Sequence, residues 1–328
     1  MPRRLAQVST TPRRSPGPAI LFVIAAAVAS CGGQGHAPAV AAPSKPDLDA
    51  DPLALLPASA VVIANIDARE MYASGSLGAP VAVIGDMLLP LGDDAGLQAS
   101  RDIDRVLVGS YATGDVDIAA VISGRFDIGK IAAATKAKNG TAITKGTYAG
   151  FATYTIGPTI YAPLTAKTLV AGTREGVWRV LERVQQGKIE RSMPPWVVDT
   201  LETKGAEMAA AADFASQPVA AAALGSTNLA WIKGIRVARV IGNFEAPGMN
   251  FAATLTYTDA QQAQTAAEGI RTIDRWIRLF SPILGGAGIQ NLQVAAAGTD
   301  VQCKFGVDDQ SLRTLLALVP RLLPTPSP

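Results

Sequence analysis

Apolar and polar positions alternate along this chain in short runs punctuated by glycine, proline and aspartate. Residues 60–67 (AVVIANID) form a β-branched run and predict a buried strand. Residues 80–91 are apolar at helical spacing and predict a helix. Residues 103–111 (IDRVLVGSY) and 115–123 (DVDIAAVIS) predict two strands around the turn residues Ala112-Thr113-Gly114. Gly124 and Asp127 lead into a helix through Ala137, with Asp127 placed to cap its free amides. After the Asn139-Gly140 turn come three short strands, at 141–147, 150–156 and 166–171. Thr173 then opens a helix whose Val177, Val180, Leu181 and Val184 share one face, and Gly187 ends it.

A similar order returns in the second half. Strand pairs are predicted at 234–245 with 249–257 and at 292–297 with 301–305. A long helix capped by Asp259 spans 260–280, and Asp308 opens a C-terminal helix containing Leu312. Strand–strand–helix–strand–strand–helix thus occurs twice. The predicted fold class is α+β: two tandem related units of antiparallel sheet packed against helices, at 52–190 and 216–323. Residues 191–215, where Pro194-Pro195 breaks the chain, are read as a connecting segment, and 324–328 as a disordered tail.

The N-terminus follows a different pattern. Residues 1–30 hold Arg3, Arg4, Arg13 and Arg14 and no carboxylate, and residues 19–29 read AILFVIAAAVA. A basic segment before a short apolar run is the physical form of a secretory signal peptide. About 11 apolar residues fall short of the roughly 20 a spanning helix needs, so the segment is expected to be removed. Ser15-Pro16-Gly17 after Arg13-Arg14 do not fit twin-arginine export, which favours general secretion.

Val28-Ala29-Ser30-Cys31 resembles the bacterial lipobox, and Gly32-Gly33 follow it directly. The resemblance implies palmitate-type acylation at Cys31, with the body anchored in the cell envelope and lying in the periplasm or at the cell surface. An ordinary secretory signal, cleaved near Ala29 or Ser30, is the alternative. Two or three acyl chains, at about 0.8 kcal/mol per buried methylene, would make the attachment essentially permanent. Gly32 in place of aspartate favours the outer membrane over the inner. Residues 31–51, rich in Gly, Ala and Pro, read as a flexible lipidated tether.

Composition removes many functions. The 328 residues are 48% hydrophobic and 17% charged, too apolar for general disorder, and long enough for one or two cores. Aromatics supply only 5%, so Ala, Val, Ile and Leu must fill the interior. The formal charge is +2, but removing residues 1–30 takes four arginines and no acid, leaving about −2. That balance predicts no basic face for nucleic acid. The one histidine, His36, lies in the tether, which leaves no histidine-based triad or multi-histidine metal site.

No catalytic, cofactor or metal residue is assigned, and Cys31 is the one site. Cys303 alternates with Val301 and Phe305 and reads as a buried, inert thiol. Gly124–Ile131 (GRFDIGKI) resembles a phosphate-cradling loop, but Ile131 replaces the metal-binding hydroxyl, and Phe126 and Ile128 would crowd the anion. A strand-to-helix turn is expected there. Gly285-Gly286-Ala287-Gly288 stands between a helix and a strand, the wrong order for a dinucleotide fingerprint. Asp47-Leu48-Asp49-Ala50-Asp51 begins like a calcium loop, but Pro52 and Ala58 stand where glycine and glutamate are needed. The carboxylate pairs Asp93-Asp94, Asp102 with Asp104, Asp115 with Asp117, and Asp308-Asp309 sit where helices start or turns form. Trp178, Trp196, Trp231 and Trp276 could line a groove, although Trp178 and Trp276 fall on predicted helices.

Tyr148-Ala149-Gly150-Phe151, followed by TLVAGTREGVWRVLERVQQG at 168–187, resembles a pattern in uncharacterised exported bacterial proteins. That resemblance implies the fold and the compartment and supplies no activity. The expected function is that of a non-catalytic, lipid-anchored envelope protein that binds or scaffolds an envelope component. The alternative is a periplasmic carrier of a lipid or other apolar ligand, which requires a continuous cavity of about 300 Å³ between sheet and helices. A hydrolase using paired carboxylates would require those acids to converge in one cleft.

Overall fold

Short β-branched runs separated by tight turns can satisfy their backbone groups only by pairing with one another, and here nearly all of them join one sheet. The computed structural model describes residues 47–75, 77–91, 93–111, 117–225, 231–245, 248–280 and 289–314. Cys31 with its lipobox, His36, Asp115, Gly285–Gly288 and the 324–328 tail lie outside the described residues, as do the side chain of Trp276 and the chain beyond 314.

A 3₁₀ turn at Pro52–Leu55 precedes strand β1 (Val62–Asp67) and helices α1 (Ala68–Ala73), α2 (Gly78–Leu88) and α3 (Ala99–Asp102). Strands β2 (Ile103–Ser110) and β3 (Ile118–Gly124) lead to helix α4 (Ile128–Ala133). Four strands follow: β4 (Thr144–Tyr148), β5 (Phe151–Ile156), β6 (Thr159–Pro163) and β7 (Thr168–Gly172). Helices α5 (Arg174–Gln185) and α6 (Pro195–Leu201) come next, then β8 (Met208–Asp213) and α7 (Pro218–Gly225). The remainder is β9 (Ile235–Asn243), β10 (Gly248–Tyr257), α8 (Ala260–Phe280), β11 (Ile289–Ala297) and β12 (Asp300–Asp308), with residues 309–314 helical. The strands form one antiparallel sheet in the order β11-β12-β10-β9-β8-β1-β2-β3-β7-β6-β5-β4.

The α+β class and the antiparallel pairing are those the sequence predicts, and the capping residues act as expected. Asp67, Asp127 and Thr173 accept from the backbone N–H groups of Glu70, Lys130 and Gly176, and Asp259 accepts from that of Gln262 at 2.8 Å. Three details differ from the sequence reading. First, residues 191–215 are structured: Pro194 and Pro195 begin α6, where a fixed φ and a missing N–H cost nothing, and β8 pairs with both β1 and β9. The segment expected to separate two units supplies the strand that joins them. Second, four strands rather than three lie between α4 and α5, β6 being the addition.

Third, residues 47–51, expected to belong to the tether, are part of the folded body. Leu48 packs against the core, and Asp49 accepts hydrogen bonds from the hydroxyls of Thr165 (2.5 Å) and Thr168 (2.7 Å). Asp51 is paired with Arg191 at 2.6 Å. Gly, Ala and Pro composition cannot reveal that two aspartates beside them, Asp49 and Asp51, have partners more than a hundred residues away.

Strand alternation places the two faces of the sheet against different covers. On one face Ile63, Leu107, Val121, Val170, Ala209 and Ala211 meet the 3₁₀ turn, α5 and α6 through Leu55, Val177, Val180, Leu181, Val197 and Leu201. On the other, Ile122, Tyr154, Tyr161 and Leu169 lie beneath Leu91, Leu97, Phe126 and Ile131 of the α1–α4 region. Also on this second face, α8 covers β10–β12, with Ala263, Ala266 and Ala267 against Tyr257, Val301 and Cys303.

Candidate functional site

The two helical covers of the second face do not meet over its centre. The registers of β3-β2-β1-β8-β9 align side chains there into rows running across the strands. One row is Ala120, Val108, Ala64, Ala210 and Val240; the next is Ile118, Ser110, Val62, Ala212 and Ala238. Nine of these ten side chains are apolar. Ala212 is buried and the other nine are half-buried. Val62, Ala64, Val108, Ile118, Ala210 and Val240 pack against none of the buried clusters among the described residues.

The margins of this floor are apolar too. The following row includes Ile66 and Met208, which are covered together with Val81 of α2, Phe244 and Leu312. Beyond the other side, α7 packs against β9. Each bordering helix leaves a large apolar side chain in solvent, Val83 on α2 at 62% exposure and Val219 on α7 at 78%. Four strand spacings of about 4.8 Å make the floor roughly 19 Å long, and its two rows stand about 7 Å apart along the strands. A contiguous apolar floor with exposed apolar margins is the unusual feature, since single exposed valines need no explanation.

On the first face, α6 reaches β9, where Ile241 joins the core and Arg239 lies over Trp196; beyond it the face is polar, with Thr254, Gln302 and Lys304 pointing to that side.

The chemistry considered in the sequence disperses. Asp102 is held by Arg101 through two contacts (2.8 and 2.7 Å) and by the amide of Gln98, whereas Asp104 pairs with Arg69 at 2.6 Å. Burial alone would push the Asp102 carboxyl up, but the Arg101 hydrogen bonds, the Gln98 amide and the charges of Arg101 and Arg125 outweigh it and hold the carboxyl below its ordinary value. Asp117 pairs with Arg179 on α5, and Asp308 accepts from the Ser311 amide at 2.7 Å and from Gln290. Asp102 ends α3, Asp104 lies on β2, Asp117 precedes β3 and Asp308 ends β12, each engaged with partners of its own. Among the described residues, no group of three or more His, Cys, Asp and Glu side chains could hold a metal ion.

Gly124–Ile131 is a strand-to-helix turn with Phe126 buried beneath it. The Arg125 amide donates to the Asp102 carbonyl and the Phe126 amide to that of Ala166, so neither faces an anion. The described tryptophans are engaged apart from one another. Trp178 stacks on Tyr148 at 4.4 Å, Arg239 lies 5.2 Å from the Trp196 ring, and the Trp231 carbonyl accepts from Tyr257 at 2.5 Å.

Surface clefts of about 230–360 Å³ occur elsewhere, one of about 360 Å³ being lined by Asp86, Gln98, Arg101 and Lys138. The ten-residue floor was not legible in sequence. Its alanines and valines look like ordinary core residues, and no pattern says which of them lack a cover.

No helix among the described residues is long and apolar enough to cross a membrane. No protein-family model matches the chain, and no curated protein matches it in sequence. Its fold is similar to that of TP0453. Crystal form I of that protein superposes with a TM-score of 0.51 at 14% identity, over 82% of this chain and 97% of the other. Crystal form III gives 0.53 at 13% identity, over 83% and 100%. The likeness extends to the fold alone.

Proposed function

We propose that this is a non-catalytic, lipid-anchored protein of the bacterial cell envelope whose body binds an apolar segment of another envelope component. The observation that carries the reading is the apolar floor formed by Ala120, Val108, Ala64, Ala210 and Val240 and the adjacent row, in which Val62, Ala64, Val108, Ile118, Ala210 and Val240 pack against none of the buried clusters among the described residues. At about 25 cal/mol per Å² of apolar area removed from water, covering such a surface is a strong driving force for association. Its length of roughly 19 Å equals about 13 residues of α-helix, and a helix of about 10 Å diameter spans both rows. The apolar face of an amphipathic helix is therefore the occupant that fits. A flat floor with no enclosing cavity over it among the described residues favours such a partner over a carried ligand, which would be enclosed.

The anchor and the floor are tested separately. Mass spectrometry of the mature N-terminus should show acylated Cys31; an unmodified cysteine overturns the anchor. A photo-crosslinking residue at Val108 should give a discrete adduct with one envelope component in intact cells. The adduct should disappear when Ala64→Glu and Ala210→Glu place charges on the floor. No adduct from Val108 or Val240, or an adduct indifferent to those charges, overturns the binding reading.

A further inference from the structure

The formal charge of about −2 left after the signal peptide conceals a strong asymmetry. Residues 125–167 contain Arg125, Lys130, Lys136, Lys138, Lys145 and Lys167 against Asp127 alone, a formal +5 in 43 residues. The rest of the mature chain is therefore net acidic.

The fold gathers these six side chains, all exposed, on one side of the body. The amides of Gly124 and Phe126 donate to the carbonyls of Lys167 and Ala166, which fixes Arg125 beside the β6–β7 turn. The α4 helix carries Lys130 across the same face as far as β4, where the Lys145 ammonium donates to the Ala132 carbonyl at 2.6 Å. Lys136 and Lys138 follow α4, and the Lys138 amide donates to the Pro90 carbonyl. Two of the six are already paired, Lys138 with Asp86 at 3.2 Å and Lys130 with Asp127 at 3.7 Å, so Arg125, Lys136, Lys145 and Lys167 carry the face, and the neighbouring Asp102 is neutralised by Arg101 at 2.7 Å.

The chain enters the body beside this face. Asp49 is held by Thr165 and Thr168, the residues on either side of Ala166 and Lys167. The 15 residues between Cys31 and Asp47 can span at most roughly 55 Å. An anchor at Cys31 therefore keeps this end of the body close to the bilayer, at a high local concentration relative to its headgroups.

We propose that the basic face of residues 125–167 docks on the anionic phospholipid headgroups of the membrane that holds the lipid on Cys31. This rests on the lipid-anchored reading above. Docking turns the basic face to the bilayer and leaves the acidic remainder, which like-charge repulsion keeps off the surface, pointing away. The attraction acts within a Debye length of about 8 Å at physiological salt, so the short tether is what makes it effective.

The test uses the lipidated chain in vesicles of phosphatidylcholine alone or of phosphatidylcholine mixed with phosphatidylglycerol. Amine labelling of each lysine is read by mass spectrometry. Lys136, Lys145 and Lys167 should label several-fold more slowly in the anionic vesicles, while Lys204 and Lys304 should not change. About 0.5 M salt should abolish the difference. In the chain with Cys31→Ser, binding to anionic vesicles should weaken about five-fold for each lysine removed, with Lys136→Gln and Lys167→Gln as the exposed test positions. Equal labelling in both vesicle types overturns the docking while leaving the anchor intact. A chain that floats only with anionic vesicles and carries no lipid overturns the anchor and supports the docking; one that floats with neither overturns both.

Discussion

Gly176 offers a test in which helix propensity and packing predict opposite signs. It lies in the first turn of α5, where alanine in place of glycine ordinarily stabilises a helix by about 1 kcal/mol. Here a Cβ would stand 2.5 Å from the Ile118 carbonyl carbon, nearer still to its oxygen, and 3.0 Å from the Ala119 amide nitrogen. The obstruction is backbone of a central strand, which cannot rotate aside. That junction is also fastened: the Thr173 amide donates to the Ile118 carbonyl at 3.0 Å, and the Ile118 amide donates to the Thr173 hydroxyl at 3.1 Å. Accommodating the methyl means lifting α5 from the sheet at the point where Val177, Val180 and Leu181 are fully buried. Overpacking of this kind costs about 3 kcal/mol at the upper end of its range, so after the propensity gain Gly176→Ala should destabilise by about 2 kcal/mol. Gly129→Ala is the control. It also lies in the first turn of a helix, but its Cβ would meet only the Asp127 carboxylate, at 3.4 Å, so it should stabilise by up to about 1 kcal/mol. Urea unfolding of both variants at equal m-value reads the two signs directly. A Gly176→Ala protein as stable as the parent would refute the close helix–sheet approach.

Two further outcomes follow from the site chemistry. The Asp102 carboxyl is held below its ordinary value, so the native state binds fewer protons than the unfolded chain in acid. Its contribution is present above the unfolded carboxyl value of about 3.9 and is lost as pH falls below it. Asp102→Asn should therefore lower stability at neutral pH and flatten the acid limb of a stability–pH curve; an unchanged limb would show that this carboxylate contributes nothing. Cys303 is buried, and burial pushes its thiol above the ordinary range against a small opposing pull from Arg271. Peptide mapping after treatment with a thiol reagent should find Cys303 unmodified in the native protein and modified in urea, and rapid modification at neutral pH without denaturant would contradict its placement.

The chain's local order determined much by itself. The β-branched runs of β1, β2 and β3 have side chains stiff at χ1 that suit a pleated surface, and each was legible within a few residues. Asp67, Asp127, Thr173 and Asp259 could cap helices wherever those helices went, because an N-cap acts over three residues. The α5 stripe of Val177, Val180 and Leu181 announced a buried face without naming what it would meet. The expectations based on composition belong to this level as well, since a chain with a single histidine offers no multi-histidine metal site.

Tertiary structure alone decided the rest. Ala209 to Ala212 carry no periodicity, because alanine is small enough for either face, so only pairing with β1 and β9 made β8 a strand and merged both halves of the chain into one sheet. Asp49 and Asp51 are ordinary linker residues until Thr165, Thr168 and Arg191 arrive from far along the chain. Six basic residues dispersed over 125–167 become one face only when α4 folds across toward β4 beside the β6–β7 turn. The apolar floor is the furthest from sequence. Ala64, Val108, Ala210 and Val240 differ in no local respect from core positions, and what sets them apart is that neither helical cover reaches them. Side-chain chemistry is a property of each residue, whereas being covered is a relation between distant parts of the chain, and only the packed molecule establishes it.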